Sequence, residues 1–97
     1  MATFIGLLNW TDQGIRNFRD TNKRADAFGD LIQSMGGELK GIWWTIGPYD
    51  IVALMEAPDE QTVTAALLKV GALGNIRSTT LRAFSREEFE GIIGRAE

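Results

Sequence analysis

Hydrophobic positions divide the chain into segments of two kinds. Four short segments are rich in β-branched and aromatic residues, which is typical of strands. Three others repeat apolar residues every three or four positions, which predicts helices with one buried face. The predicted strands are Thr3–Trp10, Leu39–Ile46, Ile51–Ala57 and Asn75–Phe84, and the predicted helices begin near Thr21, Glu60 and Arg86.

The ends of the predicted helices carry recognisable signals. Asp20 or Thr21 is expected to cap the first helix, and Gly36 with Gly37 is expected to end it. Asp59 is a predicted N-cap for the second helix. Ser85 and Glu88 have the spacing of a capping box, which predicts a short C-terminal helix.

Two connecting segments complete the pattern. Residues 11–20 are predicted to be a connector, with Gly14 as a breaker and Thr11 or Asp12 as a local cap. The second and third strands are predicted to form a hairpin through a tight turn, Gly47–Asp50. Glycine frees the backbone there, Pro48 presets its own φ, and an aspartate can bond back to the backbone.

The element order is therefore β-α-β-β-α-β followed by a tail helix, and residues 1–97 form one domain. This order predicts an α+β, ferredoxin-like fold: an antiparallel sheet in the order 4-1-3-2, with helices on one face. Strands one and three are the most continuously apolar, as central strands should be. The fourth strand is the most polar, which suits an edge.

The second strand does not suit an edge, because it carries Trp43 and Trp44 on opposite sides of the sheet. Two helices can cover only one face of a four-stranded sheet. The other face would then be a large apolar patch, which monomers rarely expose. We therefore expect a homodimer or higher oligomer in which two sheets pack face to face about a two-fold axis.

Composition and net charge disfavour several classes of partner and of chemistry. A net charge of −3 argues against nucleic acid as a partner. The chain has no cysteine and no histidine, which removes thiolate chemistry, the commonest metal ligand and the commonest general base. We expect no metal and no cofactor. No signal peptide or membrane span is recognisable, so we expect a cytoplasmic protein with no membrane partner.

Polar residues from three distant segments should meet at one pole of the predicted sheet, where strand one ends, the hairpin turns and strand four begins. Donors, acceptors, an aromatic rim and one guanidinium beside an apolar interior suit a small-molecule pocket. Asp12 is expected at the same pole. The candidate ligand-binding residues are Asn9, Trp10, Thr11, Tyr49, Asp50, Asn75 and Arg77.

Each candidate also has a structural interpretation. Tyr49 and Asp50 can serve only to build the turn, and residues 9–12 can be a strand end followed by a cap. Arg77 on an edge strand can be a solvated charge that protects the edge. Trp43 and Trp44 are interpreted as core and interface anchors rather than as ligand platforms.

Several motifs resemble the GYD domain family. Gly47, Tyr49 and Asp50 match its G-x-Y-D signature, with Pro48 stiffening the variable position. The similarity extends over nearly the whole chain, including residues 7–14, 73–77 and 80–84. The resemblance implies a ferredoxin-like domain similar to the dimeric α+β barrels, and an oligomer. It implies no particular activity.

Two functions are compatible with these observations. One is a small-molecule-binding domain, which would extend to a cofactor-free enzyme if Asp50 accepted a proton. In that hypothesis Tyr49 donates a hydrogen bond, Arg77 holds an anionic group and Trp10 walls the pocket. The alternative is a structural or regulatory self-assembly module without catalysis. RNA binding is disfavoured, because Ile51–Met55 lacks the aromatic and basic residues of an RNA-recognition strand.

Overall fold

The computed structural model describes residues 1–97. It contains a four-stranded sheet, four α-helices and one turn of 3-10 helix. In chain order the elements are β1 (Ala2–Trp10), α1 (Asp12–Arg16), the 3-10 turn (Phe18–Asp20), α2 (Thr21–Ser34), β2 (Glu38–Trp44), β3 (Ile51–Ala57), α3 (Glu60–Gly71), β4 (Ile76–Ala83) and α4 (Arg86–Ala96).

The sheet has the order β2-β3-β1-β4, and every neighbouring pair is antiparallel. The predicted ferredoxin-like fold and strand order are confirmed. In the centre of the sheet Phe4 pairs with Met55 and Leu8 with Ile51, so these four side chains share one face. That face is covered by α2 and α3, and we call it the helical face.

The core lies between the helical face and the two long helices. Phe4 and Met55 from the sheet pack with Phe28 and Ile32 of α2 and with Val63 of α3. The apolar positions of both helices recur at three and four residues, which explains why each presents one buried stripe. Burial of these two stripes holds α2 and α3 against the sheet.

The predicted caps of α3 and α4 are confirmed. The Asp59 carboxylate accepts hydrogen bonds from the backbone N–H and the hydroxyl of Thr62, which lower the pKa of this carboxyl. Ser85 and Glu88 form the predicted capping box. The bond that Glu88 accepts from the Ser85 backbone is the main cause that lowers the pKa of Glu88. Asp20 occupies the N-cap position of α2 but makes no side-chain bond there.

The prediction for residues 11–20 is confirmed only in part: Thr11 caps a helix by accepting the Gly14 N–H at 3.1 Å, but the segment is not a simple connector. This segment contains α1 and the 3-10 turn, and Gly14 lies inside α1 rather than breaking the chain. A β-carbon on Gly14 would meet the backbone oxygen of Asn75 at 1.9 Å. The glycine is therefore needed for a close approach between α1 and the start of β4.

The hairpin connection is longer than the predicted tight turn. The strands end at Trp44 and resume at Ile51, so residues 45–50 form the connection. Thr45 closes it by donating its backbone N–H to the oxygen of Asp50, at 2.8 Å. Gly47 has a φ of 115°, a conformation that other residues rarely adopt.

The second face of the sheet carries no helix of this chain, and we call it the open face. Register places Ile5, Leu7, Trp43, Val52 and Leu54 on it. Trp43 is 55% exposed. Trp44 lies on the helical face, so the two tryptophans point to opposite sides as expected.

Helix α4 also presents apolar residues to solvent. Phe89, Ile92 and Ile93 form a stripe on it, and none of its residues is buried. The chain exposes 6583 Å² in total, whereas a compact monomer of this mass would expose about 5,500 Å². The radius of gyration is 14.5 Å, against roughly 12.5 Å for a compact domain of this length.

Candidate functional site

A cavity of about 340 Å³ lies between the helical face and the helices α2 and α3. It is mainly apolar: 12 of the 16 residues that line it are hydrophobic. Phe28 and Leu31 of α2 form one wall, and Leu8, Ile51 and Ala53 form the floor on the sheet. Its size and lining are those of small-molecule sites in proteins.

The polar lining residues are Thr21, Arg24, Lys69 and Asn75. Thr21 and Arg24 lie at the start of α2, Lys69 near the end of α3, and Asn75 just before β4. These positions are the pole at which β1 ends. The cavity therefore has a polar end at the predicted pole and an apolar interior behind it.

Trp10 also lines the cavity, at the last position of β1. Its indole N–H is buried and has no acceptor within the chain. A buried donor without an acceptor carries a desolvation cost, so this nitrogen is an unexplained feature of the cavity wall.

The start of β4 is held against α1 by a compact set of hydrogen bonds. The Thr11 backbone N–H donates to the Asn75 oxygen at 3.1 Å, and the Thr11 hydroxyl donates to the Gly74 oxygen. The Gln13 amide donates to Oδ1 of Asn75 at 3.0 Å. Asn75 is thus fixed by its backbone and its side-chain oxygen, and its Nδ2 donors remain available to a ligand.

Arg24 is positioned by the same region. Its guanidinium donates to the oxygens of Asn17 and Gly14, at 2.9 and 3.2 Å. These are carbonyls at the end of α1, so the cation complements the negative end of this short helix. Arg24 forms no ion pair with a carboxylate, and neither does Lys69.

Asp50 joins β1 to β3. Its backbone N–H donates to the Leu8 oxygen at 2.9 Å, and its Oδ2 accepts the Trp10 backbone N–H at 3.0 Å. The carboxylate thus takes the place of a strand carbonyl where the β1–β3 ladder ends. This geometry favours the structural interpretation of Asp50.

Asp50→Ala is expected to destabilise the fold by about 1–2 kcal/mol, because it leaves the half-buried Trp10 N–H without an acceptor. Asp50→Asn retains an acceptor oxygen, so we expect it to lose less stability than Asp50→Ala. Urea denaturation of both variants measures the difference. An alanine variant as stable as the wild type would show that this bond does not support the fold.

The remaining predicted residues are placed as follows. Trp10 and Asn75 line the cavity, whereas Thr11 and Arg77 line a shallower polar hollow beside the end of α3. Asn9 pairs with Arg77 across the β1–β4 ladder, which places both on the open face. Tyr49 lies half-buried in the hairpin connection, and its backbone oxygen accepts the Thr45 hydroxyl. The structure thus divides the seven candidates among four places: the cavity, the shallower hollow, the open face and the hairpin connection.

Two residues of the polar end were missed by the sequence reasoning. Arg24 lies on α2 and Lys69 on α3, where isolated basic residues are ordinary features of a solvated helix face. A partial signal exists for Arg24, which precedes the apolar Ala25 in the first turns of α2 and so borders the buried stripe. Lys69 has no such signal.

No three acidic, histidine or cysteine side chains are grouped in a way that could hold a metal ion. No helix has the length and apolar character needed to span a membrane.

The sequence model of the GYD domain matches residues 4–93. The chain belongs to the GYD domain family. This GYD domain is 31% identical over 84 residues to a Thermus thermophilus protein described as a glutamine synthetase and cystathionine beta-lyase binding protein. The alignment covers 86% of this chain and 88% of that protein.

A solved structure agrees with the fold. The crystal structure of TTHA0845 from Thermus thermophilus superposes with a TM-score of 0.56 at 24% sequence identity. The match covers 88% of this GYD domain and 95% of the other chain. At this level of identity the similarity supports the fold alone.

Proposed function

We propose that this GYD domain is a homodimeric small-molecule-binding domain whose ligand occupies the cavity on the helical face. The observation that carries the proposal is the cavity itself, which combines an apolar interior with a polar end formed by Arg24, Lys69 and Asn75. Small-molecule sites have this design, because apolar contact supplies affinity and a few polar groups fix orientation.

The geometry favours binding over catalysis. The cavity lining contains no aspartate and no glutamate, so no carboxylate is placed to act as a general base there. Asp50, the base of the enzyme hypothesis, is engaged with the Trp10 backbone instead. The role proposed for the domain is therefore to hold a ligand without transforming it.

The surface of the isolated chain supports the dimer. Its total exposure exceeds that of a compact monomer of this mass by about 1,100 Å². A stable interface buries about 800 Å² on each partner. The open face and the apolar stripe of α4 are the regions that a second copy would cover.

A neutral, environment-sensitive dye such as N-phenyl-1-naphthylamine tests the binding proposal. Wild-type protein is expected to enhance its fluorescence, and Ala25→Phe is expected to reduce affinity at least about tenfold, because Ala25 lines the cavity and a phenyl ring would fill it. Ala72→Phe is the matched control, since Ala72 is exposed and does not line the cavity. Equal binding by both variants would refute a ligand site in the cavity.

A second candidate function is a regulatory domain that binds an enzyme. Two observations favour it: the description of the Thermus relative, and a hairpin connection that exposes Ile46 fully beside the rigid Pro48. Calorimetric titration with purified glutamine synthetase from the same source organism tests this role. Binding that is abolished by Ile46→Asp supports it, whereas absence of binding to glutamine synthetase and to cystathionine β-lyase rejects it.

A further inference from the structure

The charged lining of the cavity has a single sign. Arg24 and Lys69 are its only charged residues, in a chain whose acidic residues outnumber its basic ones by three. All four ion pairs of the chain involve Lys40 or Arg82. Neither cation at the polar end therefore forms an ion pair with a protein carboxylate, so an anionic ligand would meet two unpaired cations there.

The uncharged polar groups at the same end offer donors. Oδ1 of Asn75 accepts the Gln13 amide, whereas its Nδ2 makes no hydrogen bond within the chain. The Thr21 hydroxyl oxygen already accepts the Trp44 indole N–H at 3.0 Å. A ligand group that meets this end must consequently be rich in acceptors, as a carboxylate is.

The partners of Arg24 make its charge a fixed feature of the site. Its two bonds to the carbonyls of α1 hold the guanidinium, and α1 is held in turn by its contact with Asn75. An arginine that is already ordered loses little conformational freedom when a ligand binds. Lys69 is exposed, so it adds a flexible second cation.

We infer that the ligand is an amphipathic carboxylate, with an apolar body in the cavity interior and its carboxylate near Arg24, Lys69 and the side-chain amide of Asn75. This inference rests on the proposed binding function and specifies its ligand class. The cavity volume of about 340 Å³ lies within the range of small-molecule sites. A medium-chain fatty acid or an arylalkanoic acid has this size and polarity.

Titration calorimetry with octanoate and its neutral isostere octanamide tests the inference. Octanoate is expected to bind at least about tenfold more tightly, because charge-assisted hydrogen bonds are stronger than neutral ones. Lys69→Gln is expected to weaken octanoate about fivefold and to leave octanamide unchanged. Lys23→Gln removes an exposed lysine that does not line the cavity, so it serves as the matched control and should affect neither compound.

Ionic strength and the cavity-filling variant complete the test. The preference for octanoate over octanamide should decrease between about 0.1 M and 1 M salt, as the Debye length shortens from about 10 Å to about 3 Å. Ala25→Phe should weaken both compounds if they occupy the cavity. Equal affinity for the two compounds, or a preference for octanamide, overturns the carboxylate assignment and leaves the binding function intact. Failure of octanoate, octanamide and the neutral dye alike to bind overturns both.

Discussion

Trp43→Asp is expected to be monomeric at micromolar concentrations at which we expect the wild-type GYD domain to be dimeric. Trp43 lies on the open face with its ring over Gly41, next to Val52 on the neighbouring strand. A two-fold interface contains each residue twice. If each tryptophan contributes about 2 kcal/mol, its loss removes roughly 4 kcal/mol per dimer and raises the dissociation constant about 1,000-fold.

The new carboxylate adds to this effect, because an aspartate buried between two apolar sheets has no partner. The folded monomer should tolerate the change, since Trp43 is largely exposed within one chain. Light scattering during size-exclusion chromatography measures the mass, and circular dichroism confirms that the variant is folded.

Leu68→Asp is the matched control for Trp43→Asp. It introduces the same charge at an exposed leucine, 70% accessible, on α3 in the helical layer. This variant should remain dimeric, because the helical layer lies on the opposite side of the sheet. A wild-type chain that elutes with a mass near 10.7 kDa would contradict the dimer, and so would a Trp43→Asp variant that remains dimeric.

Gly14→Ala is expected to lower the free energy of unfolding by at least about 3 kcal/mol, at the upper end of overpacking substitutions. The added β-carbon would stand 1.9 Å from the Asn75 oxygen, and the obstruction is backbone rather than a flexible side chain. To relieve the clash, α1 must move away from the start of β4. That movement disrupts the bond from the Thr11 N–H to the same oxygen.

The matched control is Gly71→Ala, at the end of α3. Its β-carbon would meet nothing within 4 Å, and the backbone has no positive φ at this position. This variant should be neutral or slightly stabilising, as alanine is in a helix. Thermal unfolding should separate the two variants by at least roughly 12 °C. Equal melting temperatures would show that α1 and β4 are not held as closely as the structure indicates.

The elements of this domain could be predicted because each depends on nearby residues. The stripe of α2 that includes Phe28 and Ile32, and the capping box from Ser85 to Glu88, are visible within one or two helical turns. The alternation of side chains along β2 also indicated that its two tryptophans lie on opposite faces of the sheet, so that the two helices of one chain cannot cover both. The hairpin was predicted, but the length of its connection was not, because the Gly47–Asp50 motif is compatible with connections of several lengths.

The candidate site was predicted only in part. The order of the strands predicted that polar residues gather at the end of the sheet where β1 ends. Trp10 and Asn75 line the cavity at that end. Arg24 and Lys69 were missed because they line one cavity only when α2 and α3 pack over the sheet. Gly14 was interpreted as a breaker, since its partner Asn75 is far away in the sequence and no local pattern reveals the contact.

The sequence by itself determined the helices and strands, their order and the excess of apolar strand surface. These properties follow from hydrophobic periodicity, backbone propensity and capping, all of which act over a few residues. Only the tertiary structure decided where the cavity lies and which charged side chains line it. That decision depends on contacts such as Gln13 with Asn75, which lie 62 residues apart and exist only when α1 packs against the start of β4.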